Sequence, residues 1–136
     1  MPVQTPSDKR RQSVDVTGNK TLVAADQGIV QNVITDAVTI TLPAAGAAAT
    51  GLKFVIRNGG AKAANGAYGT GASGSVGFTV TTSGTDTVAG NGFTAAANKG
   101  PVNTKATSTV GDEVSLCSGV NSYNVVEVIG TFARQA

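Results

Sequence analysis

The stretch Val38-Thr39-Ile40-Thr41-Leu42-Pro43 alternates apolar and polar side chains and then stops at a proline. A period of two puts Val38, Ile40 and Leu42 on one face of an extended chain and the threonines on the other. Pro43 ends the run because it has no N–H to give to a ladder. Working outward, Leu52-Lys53-Phe54-Val55-Ile56-Arg57 repeats the texture, with Leu52, Phe54 and Ile56 toward a core. Residues 44–51, small and Gly-containing, read as the connection between the two. Upstream, residues 13–17, 21–24 and 28–34 read as strands, divided by Gly18-Asn19 and by the turn signal Ala25-Asp26-Gln27-Gly28. Downstream, 76–81, 86–93, 106–110, 113–117 and 123–132 continue the series, and Gly130 inside the last run marks a bulge or a close backbone approach. Residues 58–75 and 98–105 read as connections. About nine or ten strands, many spaced by roughly 8–12 residues, predict an all-β fold, either a β-sandwich or a jelly-roll-like barrel.

The chain has 136 residues, a length that predicts one domain. Residues 13–136 form that β-domain, and residues 1–12 precede it as an extended N-terminal arm, because Pro2 and Pro6 disfavour helix and 7–12 is wholly polar. The arm carries Lys9-Arg10-Arg11 against one acid, Asp8, and beyond residue 11 the charges balance. Aromatic residues are only 4% of the chain, so the core rests on Val, Ile, Leu and four Phe. Charged residues are 13%, about half the share of an average soluble domain. Few charges and small side chains predict that part of the surface is covered by further copies, a homo-oligomer.

There is no His and one Cys, Cys117, so the usual zinc and haem ligands are missing and no cofactor is expected. Cys117 sits in a strand and reads as a buried structural thiol. Ser and Thr abound, but no His can serve as their base. Asp26, Asp36, Asp86 and Asp112 fall near strand ends, where a carboxylate caps a turn; Asp15 lies within a strand and faces solvent. The adjacent acids Asp112-Glu113 read as turn plus solvated strand edge. Gly69-Thr70-Gly71-Ala72-Ser73-Gly74 spells a GxGxxG phosphate motif outside the strand–helix context that gives it meaning, and reads as a surface loop. The chain is therefore not read as an enzyme, and no small-molecule substrate is expected. The body has no basic stripe, so nucleic acid is not an expected partner. The N-terminus has no apolar signal segment and no window is long and apolar enough to span a bilayer, so neither is a membrane. Lys9, Arg10 and Arg11 are the candidate binding residues, either as an arm that pairs with acidic groups on a partner or as a solvated terminus.

Taken in order, Thr21-Leu22-Val23-Ala24-Ala25-Asp26-Gln27-Gly28, then Val38-Thr39-Ile40-Thr41-Leu42-Pro43, then Gly51-Leu52-Lys53-Phe54 resemble a pattern recurrent in small structural proteins of tailed bacteriophages. Gly111-Asp112-Glu113-Val114-Ser115-Leu116 and the run from Tyr123 to Gly130-Thr131-Phe132 are similar to the closing strands of the same module. Tyr123 and Phe132 stand where Trp is common there, which suits a core role. The resemblance covers residues 20–132. It implies a capsid decoration (cement) protein: a homotrimer on the virion surface, made in the host cytoplasm, that binds the major capsid protein and stabilises contacts between its subunits. Such modules also form head domains of fibres that bind host-surface glycans. A chain of this size with its own Met1 and no fibrous repeat resembles the cement proteins more.

Overall fold

The computed structural model describes residues 12–45 and 51–136. From β1 (Ser13–Val16) the chain crosses to β2 (Lys20–Thr21), returns to β3 (Val30–Val33), crosses to β4 (Val38–Thr41), returns to β5 (Lys53–Asn58) and crosses again to β6 (Phe78–Thr81). Then follow β7 (Thr87–Ala89), β8 (Pro101–Asn103), β9 (Glu113–Ser118), β10 (Ser122–Ile129) and β11 (Ala133–Arg134). They form two sheets, of order β1-β3-β5-β9-β10-β7 and β11-β8-β6-β4-β2. The fold is an all-β sandwich of two mixed sheets.

Its topology is not that of a jelly roll, whose strands pair antiparallel. β1, β3 and β5 run parallel in one sheet, as do β2, β4 and β6 in the other. Parallel neighbours need a long crossover. Here each crossover is itself a strand of the opposite sheet, so the first half winds as a flattened coil. β9 then adds antiparallel to β5, and β10 antiparallel to β9.

Period-two alternation places the core. β4 buries Val38 and Ile40 and leaves Thr39 and Thr41 half-exposed; β5 buries Phe54, Ile56 and Asn58. Leu116, Tyr123 and Val125 join Phe54 and Ile56 from the six-stranded sheet, against Leu22, Ile40, Leu42, Phe78 and Val80. The Phe54 and Tyr123 rings are tilted with centroids 6.1 Å apart, and the Tyr123 hydroxyl donates to the Pro43 carbonyl at 2.6 Å. Burial, with Asp86 adding to it, pushes that phenol up to about 12. Phe132 packs edge-on against Phe78 at 5.9 Å, in keeping with the core role read for it.

One end of the sandwich is pinned by buried polar groups. Asn58 Nδ2 donates to Asn103 Oδ1 (2.6 Å) and to the Val76 carbonyl (2.6 Å). Asn103 Nδ2 donates to Asp112 Oδ2 (2.9 Å) and to the Thr131 carbonyl (3.1 Å). The same carboxylate accepts from the Thr109 N–H (3.0 Å). This chain ties β5, β8, the start of β9 and the exit of β10 together. Gly130 (φ +91°) packs directly on the Asp112 carboxylate, and a Cβ there would overlap it. Of the two sequence readings for Gly130, close approach is the one the structure supports; β10 stops at Ile129, short of the strand to Phe132 that the sequence predicts.

Other expectations need correction. Residues 98–105, read as a connection, contain β8, which starts at Pro101, a strand position that tolerates proline. Residues 106–110, read as a strand, open with a 3-10 turn (Lys105–Thr107) and continue as loop. The strand at 21–24 is shorter, Lys20–Thr21, because Asp26 accepts the Val23 N–H and draws Ala24–Asp26 into a 3-10 turn. Asp112 is buried in the polar chain rather than solvated. Cys117 is half-buried, since alternation turns it to the outer face opposite Lys53 and Asn124.

Candidate interaction surfaces

Strand register, parallel for β1-β3-β5 and antiparallel for β5-β9, builds a polar row across the outer face of the six-stranded sheet. Asp15 lies opposite Asn32, Asn32 opposite Arg57, and Arg57 opposite Glu113. All four alternate with core residues, so they share one face. Asn32 is nearly buried; its Nδ2 donates to Asp15 Oδ1 (3.2 Å), and its Oδ1 accepts from the Arg57 guanidinium (3.1 Å).

The long loop between β5 and β6 folds back over this row. Lys62 and Tyr68 pair across it in an antiparallel bridge, with Lys62 Nζ 4.7 Å above the Tyr68 ring. Both reach Asp15, Lys62 Nζ at 3.1 Å and the Tyr68 hydroxyl at 3.0 Å. The Asn32 amide, donating to the carboxylate, holds Asp15 below its ordinary value against the opposing effect of partial burial; Lys62 and Tyr68 lower it further. Between loop and sheet lies a cleft of about 480 Å³, lined by Ser13, Asn32, Arg57, Tyr68, Val110 and Glu113. Gly59 borders it and touches the Asn32 amide so closely that a Cβ would collide with it.

The GxGxxG spelling lies in the same loop. Ala61 N–H donates to Gly74 O (2.8 Å) and Gly74 N–H to Thr70 O (3.1 Å), so the loop satisfies itself and then runs into β6. This is the surface loop the sequence predicts, with no helix following to aim N–H groups at a phosphate.

A second cleft, of about 390 Å³, is lined by Phe93, Val128, Phe132, Thr131, Asn91 and Arg134. Beside it β10 leaves Val126 and Ile129 44% and 49% exposed, on the same outer sheet face as the polar row in the case of Ile129, which pairs with Glu113.

Lys9, Arg10 and Arg11 lie outside the described residues. They directly precede Gln12, whose carbonyl accepts from the Val30 N–H (2.9 Å), and β1 is the edge strand of its sheet. Ser13, the first residue of that edge strand, lines the polar cleft.

Three further carboxylates accept backbone N–H groups. Asp26 caps its own turn by accepting from Val23 N–H, as read from sequence, whereas Asp36 and Asp86 accept from Gly77 N–H and Ala45 N–H, each 41 residues away, and so tie separate segments together; all three bonds are 2.7–2.8 Å. The Gly77 N–H and then Lys105, 3.0 Å away, hold Asp36 below its ordinary value. Among the described residues no three His, Cys, Asp or Glu side chains cluster to hold a metal, and no helix is long and apolar enough to cross a membrane.

Sequence reasoning singled out none of Asn32, Arg57, Tyr68 or Phe93 as surface residues. Strand register brings Asn32 and Arg57 together and the β5–β6 loop lays Tyr68 over them, while Phe93 lines the second cleft; an aromatic in a Gly-rich loop, Tyr68, was the one available signal. No protein-family model and no curated protein sequence matches this chain.

Proposed function

We propose that the protein is a bacteriophage capsid decoration protein. It binds the outer surface of the head as a homotrimer and holds neighbouring major capsid protein subunits together. The observation that supports this most is the exposed edge strand β1, whose Ser13 lines a polar cleft and which the basic triplet Lys9-Arg10-Arg11 precedes in sequence. An edge strand offers unpaired main-chain groups to an extended partner segment, and the basic triplet adds attraction to acidic coat-protein groups. Val126, Ile129 and the Phe93–Phe132 cleft supply apolar surface suited to a second protein. The mechanism is mass action. A ligand that binds only the assembled lattice stabilises it by about RT ln(1 + [L]/Kd) per site.

The test is sedimentation of purified protein with expanded heads, together with imaging of the decorated particle. Full-length protein is expected to pellet with heads and to populate three-fold positions. A variant lacking residues 1–11 is expected to stay folded and bind more weakly. A full-length protein that remains monomeric and does not pellet overturns the reading.

Tyr68, half-exposed beside Arg57, Asn32 and Glu113, favours a second reading: a fibre module that grips host-surface glycans. Aromatic faces and planar polar groups are what a sugar ring needs. Copy number separates the two, since a decoration protein covers the lattice and a fibre module is confined to a few appendages.

A further inference from the structure

Where the coil begins, three reactive groups meet between the sheets. Gln31 lies in β3 on the inner face, opposite Val14 and Ile56, and is fully buried. Its Nε2 donates to the Ile29 carbonyl (3.1 Å), which fixes the plane of the carboxamide. Its Oε1 accepts from Lys20 Nζ at 2.8 Å, and Lys20 lies in β2 of the opposite sheet. Asp26 Oδ1 stands 3.9 Å from the same nitrogen, while Asp26 Oδ2 is held by the Val23 N–H at 2.8 Å. An amine, a carboxamide and a carboxylate thus converge at one point, each oriented by the backbone or by one another.

We propose that Lys20 and Gln31 join in a spontaneous isopeptide bond, with Asp26 as the proton carrier. Asp26 takes a proton from the Lys20 ammonium. The freed Nζ lone pair attacks Gln31 Cδ, and the carbonyl electron pair moves onto Oε1. A proton passes from Nζ, through Asp26, to Nε2. When the carbonyl reforms, the Cδ–Nε2 bond breaks and Nε2 leaves as ammonia, which carries off the proton first taken by Asp26 as ammonium and returns the carboxylate. One Nζ–Cδ bond forms, one Cδ–Nε2 bond is lost, and no oxidant or reductant is needed. Holding amine and amide together replaces an encounter that would be negligible between free side chains. Gln31 itself is fully buried, which limits the access of water to Cδ, while Lys20 and Asp26 stay partly exposed and leave the ammonia a way out. The bond links the first strand pair of one sheet to the first of the other, where the coil is open. It does not depend on the capsid reading.

Intact mass spectrometry tests it. The wild-type chain is expected to be lighter than its sequence by one ammonia, and a protease digest is expected to yield a branched peptide joining the β2 and β3 segments. Lys20→Arg, which keeps the charge, and Asp26→Asn are each expected to show their full sequence mass, with circular dichroism matching the wild type. Wild-type protein that retains its full mass after prolonged warm incubation overturns the proposal, whatever the variants do. So does an ammonia loss that persists in Lys20→Arg, since it places the loss in succinimides at Asn58-Gly59, Asn65-Gly66 or Asn91-Gly92. Persistence in Asp26→Asn alone overturns the role given to Asp26.

Discussion

Replacing Asn103 by Ala removes the centre of the buried polar chain. Three hydrogen bonds go at once: the donation to Asp112 at 2.9 Å, the donation to Thr131 at 3.1 Å and the acceptance from Asn58 at 2.6 Å. The bond to the carboxylate is charge-assisted and contributes about 1.5–3 kcal/mol, and each neutral bond about 1 kcal/mol. Asp112 keeps the Thr109 N–H and Asn58 keeps Val76, so neither partner is stripped bare. The expected loss is about 3–5 kcal/mol, a large part of the roughly 5–15 kcal/mol that holds a domain together. Urea unfolding followed by circular dichroism measures it, with the midpoint falling and the slope unchanged. Combining Asn103→Ala with Asp112→Asn is expected to cost less than the sum of the two, because both remove the same bond. A loss under about 1 kcal/mol, or strict additivity, refutes the claim that this chain pins the sandwich.

Three further outcomes follow from the same geometry. Asp15 titrates below its ordinary 3.8 in the folded protein, so its grip on Lys62 and Tyr68 is fully present above that value and is lost as pH falls through the lower folded value; amide exchange in the 59–77 loop, taken relative to the intrinsic rate at each pH, is expected to lose protection in acid, a dependence that Asp15→Asn abolishes by leaving protection low throughout. Tyr123 is raised from 10.0 to about 12, so the stability tied to its neutral phenol is complete below about 10 and falls as pH climbs toward 12; Tyr123→Phe is expected to flatten that alkaline limb in thermal unfolding. Phe54→Ala, at a fully buried site against Tyr123, is expected to destabilise by about 3–5 kcal/mol in the same urea assay, and a cost near zero would remove Phe54 from the core.

The strands around Ile40, Phe54 and Leu116 were legible because a sheet with one buried face writes its period into the sequence. β8 was not, because its inward residue is Asn103, a polar side chain satisfied only by Asn58, Asp112 and Thr131, all distant in sequence or in unrelated strands. The short 106–110 run carried strand-forming residues, yet the 3-10 turn at Lys105–Thr107 claims its start. Pairing partners left no local trace at all. Nothing within residues 13–16 or 30–33 says that they lie side by side and parallel, so the row Asp15–Asn32–Arg57–Glu113 could not be drawn from sequence. The Asp26 cap could, since its partner Val23 is three residues away.

The back-and-forth path of the chain dictates how the molecule comes together. Because successive strands from β1 to β8 alternate between the two sheets, neither layer can be completed ahead of the other. β3 finds β1 only after β2 has been laid across from them, and β5 waits in turn on β4. Such long-range assembly is slow, on the order of milliseconds to seconds for β-rich domains of this kind. A chain growing from its N-terminus can wind the coil in the order it is made. The hairpin of β9 and β10 follows the coil in the chain and closes its six-stranded sheet against β5, as a latch.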